Sequence, residues 1–347
     1  MGLIERWRSR LPVSESTPVI SLDEGNTPLV ELPATPESRA LDIRVFAKFD
    51  GCNPTGSFKD RGMTLAVSKA LEAGATAIAC ASTGNTSASA AAYAARAGLA
   101  CVILLPAGYV AAGKIAQTIL TGASIVQIEG NFDDALRLTR LLCDESGVAL
   151  VNSVNPNRIQ GQKTVAFEVA ERLGDAPEYH ALPVGNAGNI TAHWLGYSEL
   201  FTDGVTSRRP RMLGFQAAGA APIVRGAPVE HPETIATAIR IGNPASWRQA
   251  VAARDESHGV IEAVTDEEIL IAYQALARQG LFCEPASAAS YAGVTRMLRE
   301  GRLEAGTRVV CTLTGHGLKD PATAGTLARL PEPVPATLEA VARAAKI

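Results

Sequence analysis

The 347-residue chain has no C-x-x-C pair, no apolar run longer than a strand, no histidine spacing suited to a metal, and no strong excess of either charge. Each absence removes a class of protein. The six cysteines (52, 80, 101, 143, 283 and 311) are scattered, which argues against a zinc knuckle or a thioredoxin-type site. Several stand in apolar runs, as in Ala79-Cys80-Ala81 and Ala100-Cys101-Val102, and read as small buried hydrophobes. Such usage points to a reducing compartment. A formal net charge of −3 gives no reason to expect a nucleic acid as partner. Met1 to Arg10 is polar and basic without an apolar core behind it, so no signal peptide is expected. No segment looks membrane-spanning, and the cytoplasm is the expected location. His180, His193, His231 and His258 read as structural or solvated, and no metal is expected.

What is there suits an enzyme-sized globular protein: 47% hydrophobic and 19% charged residues, with length enough for two packed units. Residues 1–40, with prolines at 12, 18, 28, 33 and 36, read as irregular. From about residue 43 the periodicity alternates strand and helix. It predicts strands at 44–49, 76–80, 100–105, 124–128, 179–184, 212–216, 260–264 and 308–313. It predicts helices at 63–73, 88–97, 132–145, 159–173, 191–200, 266–279 and 286–300, among others. Such alternation predicts an α/β fold with mostly parallel twisted sheets flanked by helices. The number of strands favours two sheets over one, with a barrel as the competing architecture.

In open parallel sheets, sites form where strand ends release loops into helices. The first such loop is Asn53-Pro54-Thr55-Gly56-Ser57-Phe58-Lys59-Asp60-Arg61-Gly62-Met63. Ser57 stands where an N-cap belongs, and Asp60 three residues on suggests a capping box. Lys59 then falls in the first helical turn, where the macrodipole disfavours a cation. A lysine there is easier to deprotonate, and a neutral amine can attack a carbonyl; the alternative is an ordinary solvated lysine. Ser82-Thr83-Gly84-Asn85-Thr86 reads either as an anion site at a helix start or as a plain hydroxyl cap. Gly185-Asn186-Ala187-Gly188-Asn189 offers converging backbone donors for a phosphate, or is a simple turn. It lacks the G-x-G-x-x-G spacing of a dinucleotide site. Asn152-Ser153-Val154-Asn155-Pro156-Asn157-Arg158 ends in a guanidinium suited to phosphate, or in a surface arginine; Lys163 follows. Thr314-Gly315-His316 closes the last strand, with His316 as an acid–base group or a turn residue. Gly108 to Ile115 nearly matches a P-loop, but Ile115 replaces the magnesium-binding hydroxyl.

Together these loops, from Gly25-Asn26-Thr27-Pro28-Leu29 to Gly317-Leu318-Lys319-Asp320, resemble the shorter threonine synthases. Those belong to the fold-type II group of pyridoxal-phosphate enzymes, with a tryptophan-synthase-β-like fold. The resemblance implies a smaller unit at 50–150 carrying Lys59 and the Ser82–Thr86 loop. It implies a larger one at 1–49 plus 151–347 carrying loop 185–189 and Thr314, with the site between them. It implies pyridoxal 5'-phosphate held by Lys59, Asn85, Gly185, Asn186, Ala187, Gly188, Asn189 and Thr314. Thr314 would face the pyridine nitrogen and Lys59 would shuttle protons. The substrate would be O-phospho-L-homoserine, converted with water to L-threonine and phosphate. Its binders would be Ser82, Thr83, Asn85, Thr86, Asn152, Ser153, Arg158 and Asn186. A homodimer is implied. A threonine or serine dehydratase on the same fold is the alternative, and a P-loop protein a more distant one.

Overall fold

The computed structural model describes residues 1–82, 84–108, 112–328 and 331–346. Ten strands among them form two sheets. They are β1 (Leu29–Glu31), β2 (Arg44–Phe49), β3 (Ala77–Ala81), β4 (Ala100–Pro106), β5 (Ser124–Ile128), β6 (Ala149–Leu150), β7 (Tyr179–Pro183), β8 (Arg211–Ala217), β9 (Val260–Val264) and β10 (Arg308–Leu313). The larger sheet has the order β1-β2-β10-β7-β8-β9 and the smaller β5-β4-β3-β6. Every pairing is parallel except β1 on β2. β2, β7 and β10 are buried along nearly their whole length, as parallel strands covered on both faces must be.

The helices are α1 (Leu3–Arg6), α2 (Pro36–Ala40), α3 (Lys59–Glu72), α4 (Asn85–Ala97), α5 (Ala112–Leu120), α6 (Phe132–Ser146), α7 (Pro156–Gln162), α8 (Thr164–Leu173), α9 (Gly188–Thr202), α10 (Pro222–Arg225), α11 (Trp247–Glu256), α12 (Asp266–Arg278), α13 (Pro285–Arg299), α14 (Pro321–Leu327) and α15 (Leu338–Ala345). Among the described residues no helix is long and apolar enough to cross a membrane.

Strand order assembles the loops. β2, β10 and β7 are neighbours. The chain leaving their carboxyl ends carries, in turn, Lys59, Thr314 and residues 185–189. In the smaller sheet β3 and β6 are neighbours, so the loops bearing Ser82 and Arg158 also meet. Two bonds join the sets across the sheets. Asn186 Nδ2 donates to Ser153 Oγ at 3.1 Å, and Asn85 Nδ2 to the Glu284 carboxylate at 3.1 Å.

Three expectations need correction. Residues 1–40 contain α1, β1 and α2, because β1 pairs antiparallel with the edge of β2. The single helix expected over 159–173 is broken into α7 and α8 at Lys163. A Cβ at Gly161 would stand 2.0 Å from the Arg61 carbonyl oxygen, and one at Gly62 2.8 Å from that of Arg158. Backbone-to-backbone contact thus fixes α7 against α3, while Lys163 turns its amine to Glu199 of α9 at 2.6 Å. The helix expected from Thr191 begins at Gly188, so the second half of the 185–189 loop is its first turn.

A buried ionic cluster holds α3 in place. Arg61 pairs with Asp50 at 2.8 Å and with Glu168 at 2.7 Å, and Lys48 with Glu168 at 2.6 Å. Thr27 donates to Asp50 at 2.7 Å, and the Asn26 amide to Glu168 at 2.8 Å. Two cations face two anions, so β2, α3, α8 and the Gly25–Leu29 turn are tied without net charge. Despite burial, Arg61 and Lys48 hold the Glu168 carboxyl well below the usual carboxylate range. Glu168→Gln leaves an uncompensated buried cation. It should lower the unfolding free energy by about 3–5 kcal/mol in urea titration; a loss under about 1 kcal/mol would mean the cluster does not clamp the fold.

Candidate active site

Lys59 is the first residue of α3. The capping box expected around it does not form. Phe58 holds the N-cap position, and Ser57 Oγ lies 3.4 Å from the Lys59 amide. Asp60 turns back to accept from the Thr55 amide at 2.7 Å, from Thr55 Oγ1 at 2.6 Å and from Ser89 Oγ at 2.6 Å. A tight turn with two donors, plus a hydroxyl from α4, outcompetes a helix cap. Burial still pushes the Asp60 carboxyl up to about 6.

The Lys59 amine lies over the Phe58 ring, 4.1 Å from its centroid. Burial pushes it down to about 7, the Arg158 guanidinium presses the same way, and the Glu284 carboxylate opposes both. Helix-end electrostatics are the reason visible in the sequence; burial is the larger cause in the structure. A lysine so poised is half neutral near pH 7.

Arg158 is 1% exposed, and among the described residues no carboxylate pairs with it. One terminal nitrogen donates to the Val151 carbonyl at 3.2 Å, while Nε is buried without a partner. Burial pushes it down to about 10. A buried, unpaired guanidinium is costly unless it serves an anion.

Loop 185–189 presents a second set of donors. Ala187 adopts the left-handed conformation at φ 66° and caps α9, a fifteen-residue helix. Among the described residues no acceptor meets the amides of Gly185, Asn186, Ala187, Gly188 and Asn189. Asn189 Nδ2 is also buried without a partner among the described residues. The close approach of Ile239, whose Cα would be 3.0 Å from a Cβ on Gly185, keeps that wall backbone-lined. This donor set fits a phosphate at a helix N-terminus. Asn186 has its carbonyl oxygens engaged by the amides of Ala245 and Ser246.

Gly84 caps α4, so the hydroxyls of its loop are not the cap. Ser82 Oγ accepts from the Gly84 amide at 3.3 Å, and Ser87 Oγ donates to the Gly84 carbonyl at 2.8 Å. The amides of Asn85 and Thr86 point out of the helix start, which suits a carboxylate. Thr83 lies outside the described residues. Asn152 is placed differently from its neighbours. Its amide spans the Ala81 backbone with two 3.0 Å bonds, and so holds the Ser82 loop. Lys163 is paired with Glu199.

Thr314 Oγ1 lies 3.0 Å from Ser287 Oγ and 3.5 Å from Glu284. His316 Nδ1 accepts from the Leu318 amide at 3.2 Å, the turn role among its two readings, and its ring stacks on Phe49. Of the P-loop-like stretch, residues 109–111 lie outside the described residues, and Ile115 is packed into the apolar core.

Glu284 and Ser287 escaped the sequence reading. Glu284 precedes α13, which follows another helix rather than a strand, so no strand end pointed to it. The signal present was an acid at an N-cap position before Pro285. Its carboxylate joins Asn85 to Thr314, and burial pushes its acidity down, raising its pKa. A Cβ on Gly315 would come within 2.5 Å of it, so the glycine makes room for the acid.

Residues 20–315 match the family described as pyridoxal-phosphate dependent enzyme. A threonine synthase of Synechocystis sp. is 59% identical over 321 residues, covering 92% of this chain and 84% of that protein. A threonine synthase of Mycobacterium leprae is 57% identical over 343 residues, 98% of this chain and 94% of that protein. Among solved structures, maize serine racemase superposes with a TM-score of 0.75 at 18% identity, covering 94% of this chain and 95% of that one, which bears on the fold alone.

The electrostatics around Lys59 can be measured directly. In cofactor-stripped protein, amine-directed labelling at Lys59 should have its pH midpoint near 7. Arg158→Gln should raise that midpoint and Glu284→Gln should lower it. A midpoint near 10 that neither substitution moves would refute the assignment.

Proposed function

Since the chain belongs to the pyridoxal-phosphate dependent enzyme family and has the activity of a threonine synthase, we propose that Arg158 and Lys59 make its site one for a phosphorylated substrate, O-phospho-L-homoserine. The reading rests chiefly on the buried, unpaired Arg158 guanidinium beside Lys59. A dehydratase acting on threonine has no leaving phosphate to hold.

Pyridoxal phosphate, when bound, supplies a carbonyl to which Lys59 can be joined and a conjugated ring that stabilises a carbanion at the substrate α carbon. Gly185, Asn186, Ala187, Gly188 and Asn189 would hold its phosphate. Asn85 would meet the ring, and Thr314 the ring nitrogen. A neutral hydroxyl there would temper electron withdrawal and favour elimination over transamination. Glu284 keeps Asn85 and Thr314 in register through the bonds it accepts.

Ser82, Thr83 and Asn85, with the start of α4, orient the substrate carboxylate. Arg158, Thr86, Ser153 and Asn186 bind the substrate phosphate, and Asn152 keeps their loop in position. Lys59 as a neutral amine removes the α proton and then one β proton, and returns protons to the γ and α carbons. An amine near pKa 7 does both jobs near neutral pH. Phosphate leaves from the γ carbon, and water adds at the β carbon to give L-threonine.

The two sheets support two units, 50–150 and 1–49 with 151–347, and a site between them. A homodimer is the simplest assembly, and six free thiols suit a cytoplasmic setting. Arg158→Gln should reduce kcat/KM for phosphohomoserine roughly 10- to 100-fold, the worth of one charge-assisted arginine–phosphate contact. It should not raise 2-oxo acid release from threonine. Phosphate and threonine appearing in equal amounts from the unaltered protein supports the reading; an unchanged kcat/KM in the variant contradicts it.

A further inference from the structure

Behind loop 185–189 lies a chain of buried polar side chains that the reaction does not use. Asn189, His193 and Tyr197 follow one another at four-residue intervals along one face of α9. His180 on β7 and Thr312 on β10 face them from the sheet. His193 Nδ1 lies 2.8 Å from the Asn189 carbonyl oxygen, and its Nε2 lies 3.3 Å from Thr312 Oγ1. His180 Nε2 lies 2.7 Å from the same hydroxyl, and its Nδ1 lies 2.8 Å from the Tyr197 hydroxyl. Both rings and Thr312 are fully buried.

The proton positions follow from one end. A carbonyl can only accept, so His193 Nδ1 carries a proton. Both imidazoles favour the neutral form. Burial is the main cause, holding His193 down to about 4 and His180 well below its usual value. Asp50 attracts a proton on His193, while Arg61 and Lys48 repel it; His193 and Lys48 repel one on His180. With Nδ1 protonated, His193 Nε2 must accept, and Thr312 must donate to it. Thr312 Oγ1 then accepts from His180 Nε2. His180 Nδ1 in turn accepts from Tyr197. All four bonds run one way, ending on the Asn189 carbonyl.

That carbonyl shares its peptide group with the Ile190 amide, which has no acceptor among the described residues. An oxygen that accepts an additional bond polarises its own N–H. The bond also fixes the first turn of α9, where the unpartnered Asn189 Nδ2 lies. We infer that Tyr197, His180, Thr312 and His193 form a one-directional hydrogen-bond chain of positioning residues that orders and polarises the phosphate-binding start of α9. The inference deepens the proposed phosphate cradle and rests on it.

Two measurements test it. In the full-length holoenzyme, nitrogen-15 NMR of histidine-labelled protein should show His193 protonated only at Nδ1 and His180 only at Nε2. Any other tautomer, or an imidazolium near neutral pH, would overturn the chain. In protein stripped of cofactor and reconstituted, the readout is the ratio of affinities for pyridoxal phosphate and for pyridoxal. Thr312→Val removes both bonds and should shrink that ratio by about tenfold, while Thr312→Ser should keep it within about twofold. General destabilisation lowers both affinities and leaves the ratio alone. An undiminished ratio in Thr312→Val therefore overturns the inference. A parent protein with no preference for the phosphorylated form overturns the cradle itself, a result distinct from the other.

Discussion

Two residues beyond Lys59, Arg61 is buried between Asp50 and Glu168, and the rest of the site depends on that constraint. A charged residue in the interior must find opposite charge, and here it finds it on β2's exit and on α8 at once. The start of α3 is therefore fixed to the larger sheet. The backbone crossing at Gly62 and Gly161 then sets α7 against it. Arg158, on α7, is brought beside Lys59 by the same contact. Residues outside the proposed chemistry thus decide where the Lys59 amine stands.

The site reverses the logic of that cluster. The structural cations Lys48 and Arg61 are matched by carboxylates, whereas among the described residues neither Lys59 nor Arg158 forms an ion pair. Burial is the main cause that lowers the proton affinity of both groups, and the Arg158 guanidinium lowers that of Lys59 further. The result is an amine that is half neutral near pH 7, next to a cation that lacks an anion among the described residues, a pairing suited to moving protons beside a phosphate. Glu284 limits how far this goes by holding the Lys59 amine up.

Much of this was legible in the sequence, because parallel strands announce themselves as short apolar runs and their exit loops as polar, glycine-rich stretches. β10 was bounded at Arg308 and Leu313 for that reason. The two-sheet fold and the family also followed from such stretches. What stayed hidden depended on partners distant along the chain. Asn85 and Glu284 are 199 positions apart, and nothing local to either reveals the other. Asp60 reads as a capping residue, yet its carboxylate is taken by Thr55 in the same loop and by Ser89 on another helix. His180 and His193 read in the sequence as structural or solvated, and their ordered chain required the positions of Thr312 and Tyr197.

The account stands on Lys59 as the residue joined to the cofactor. The most direct measurement is borohydride reduction of the protein with its cofactor bound, followed by peptide mass mapping. The account predicts a single peptide gaining the mass of reduced pyridoxal phosphate, with the modification on Lys59 and loss of the visible absorption band. Modification on another lysine, such as Lys48 or Lys319, or no covalent modification, would contradict it.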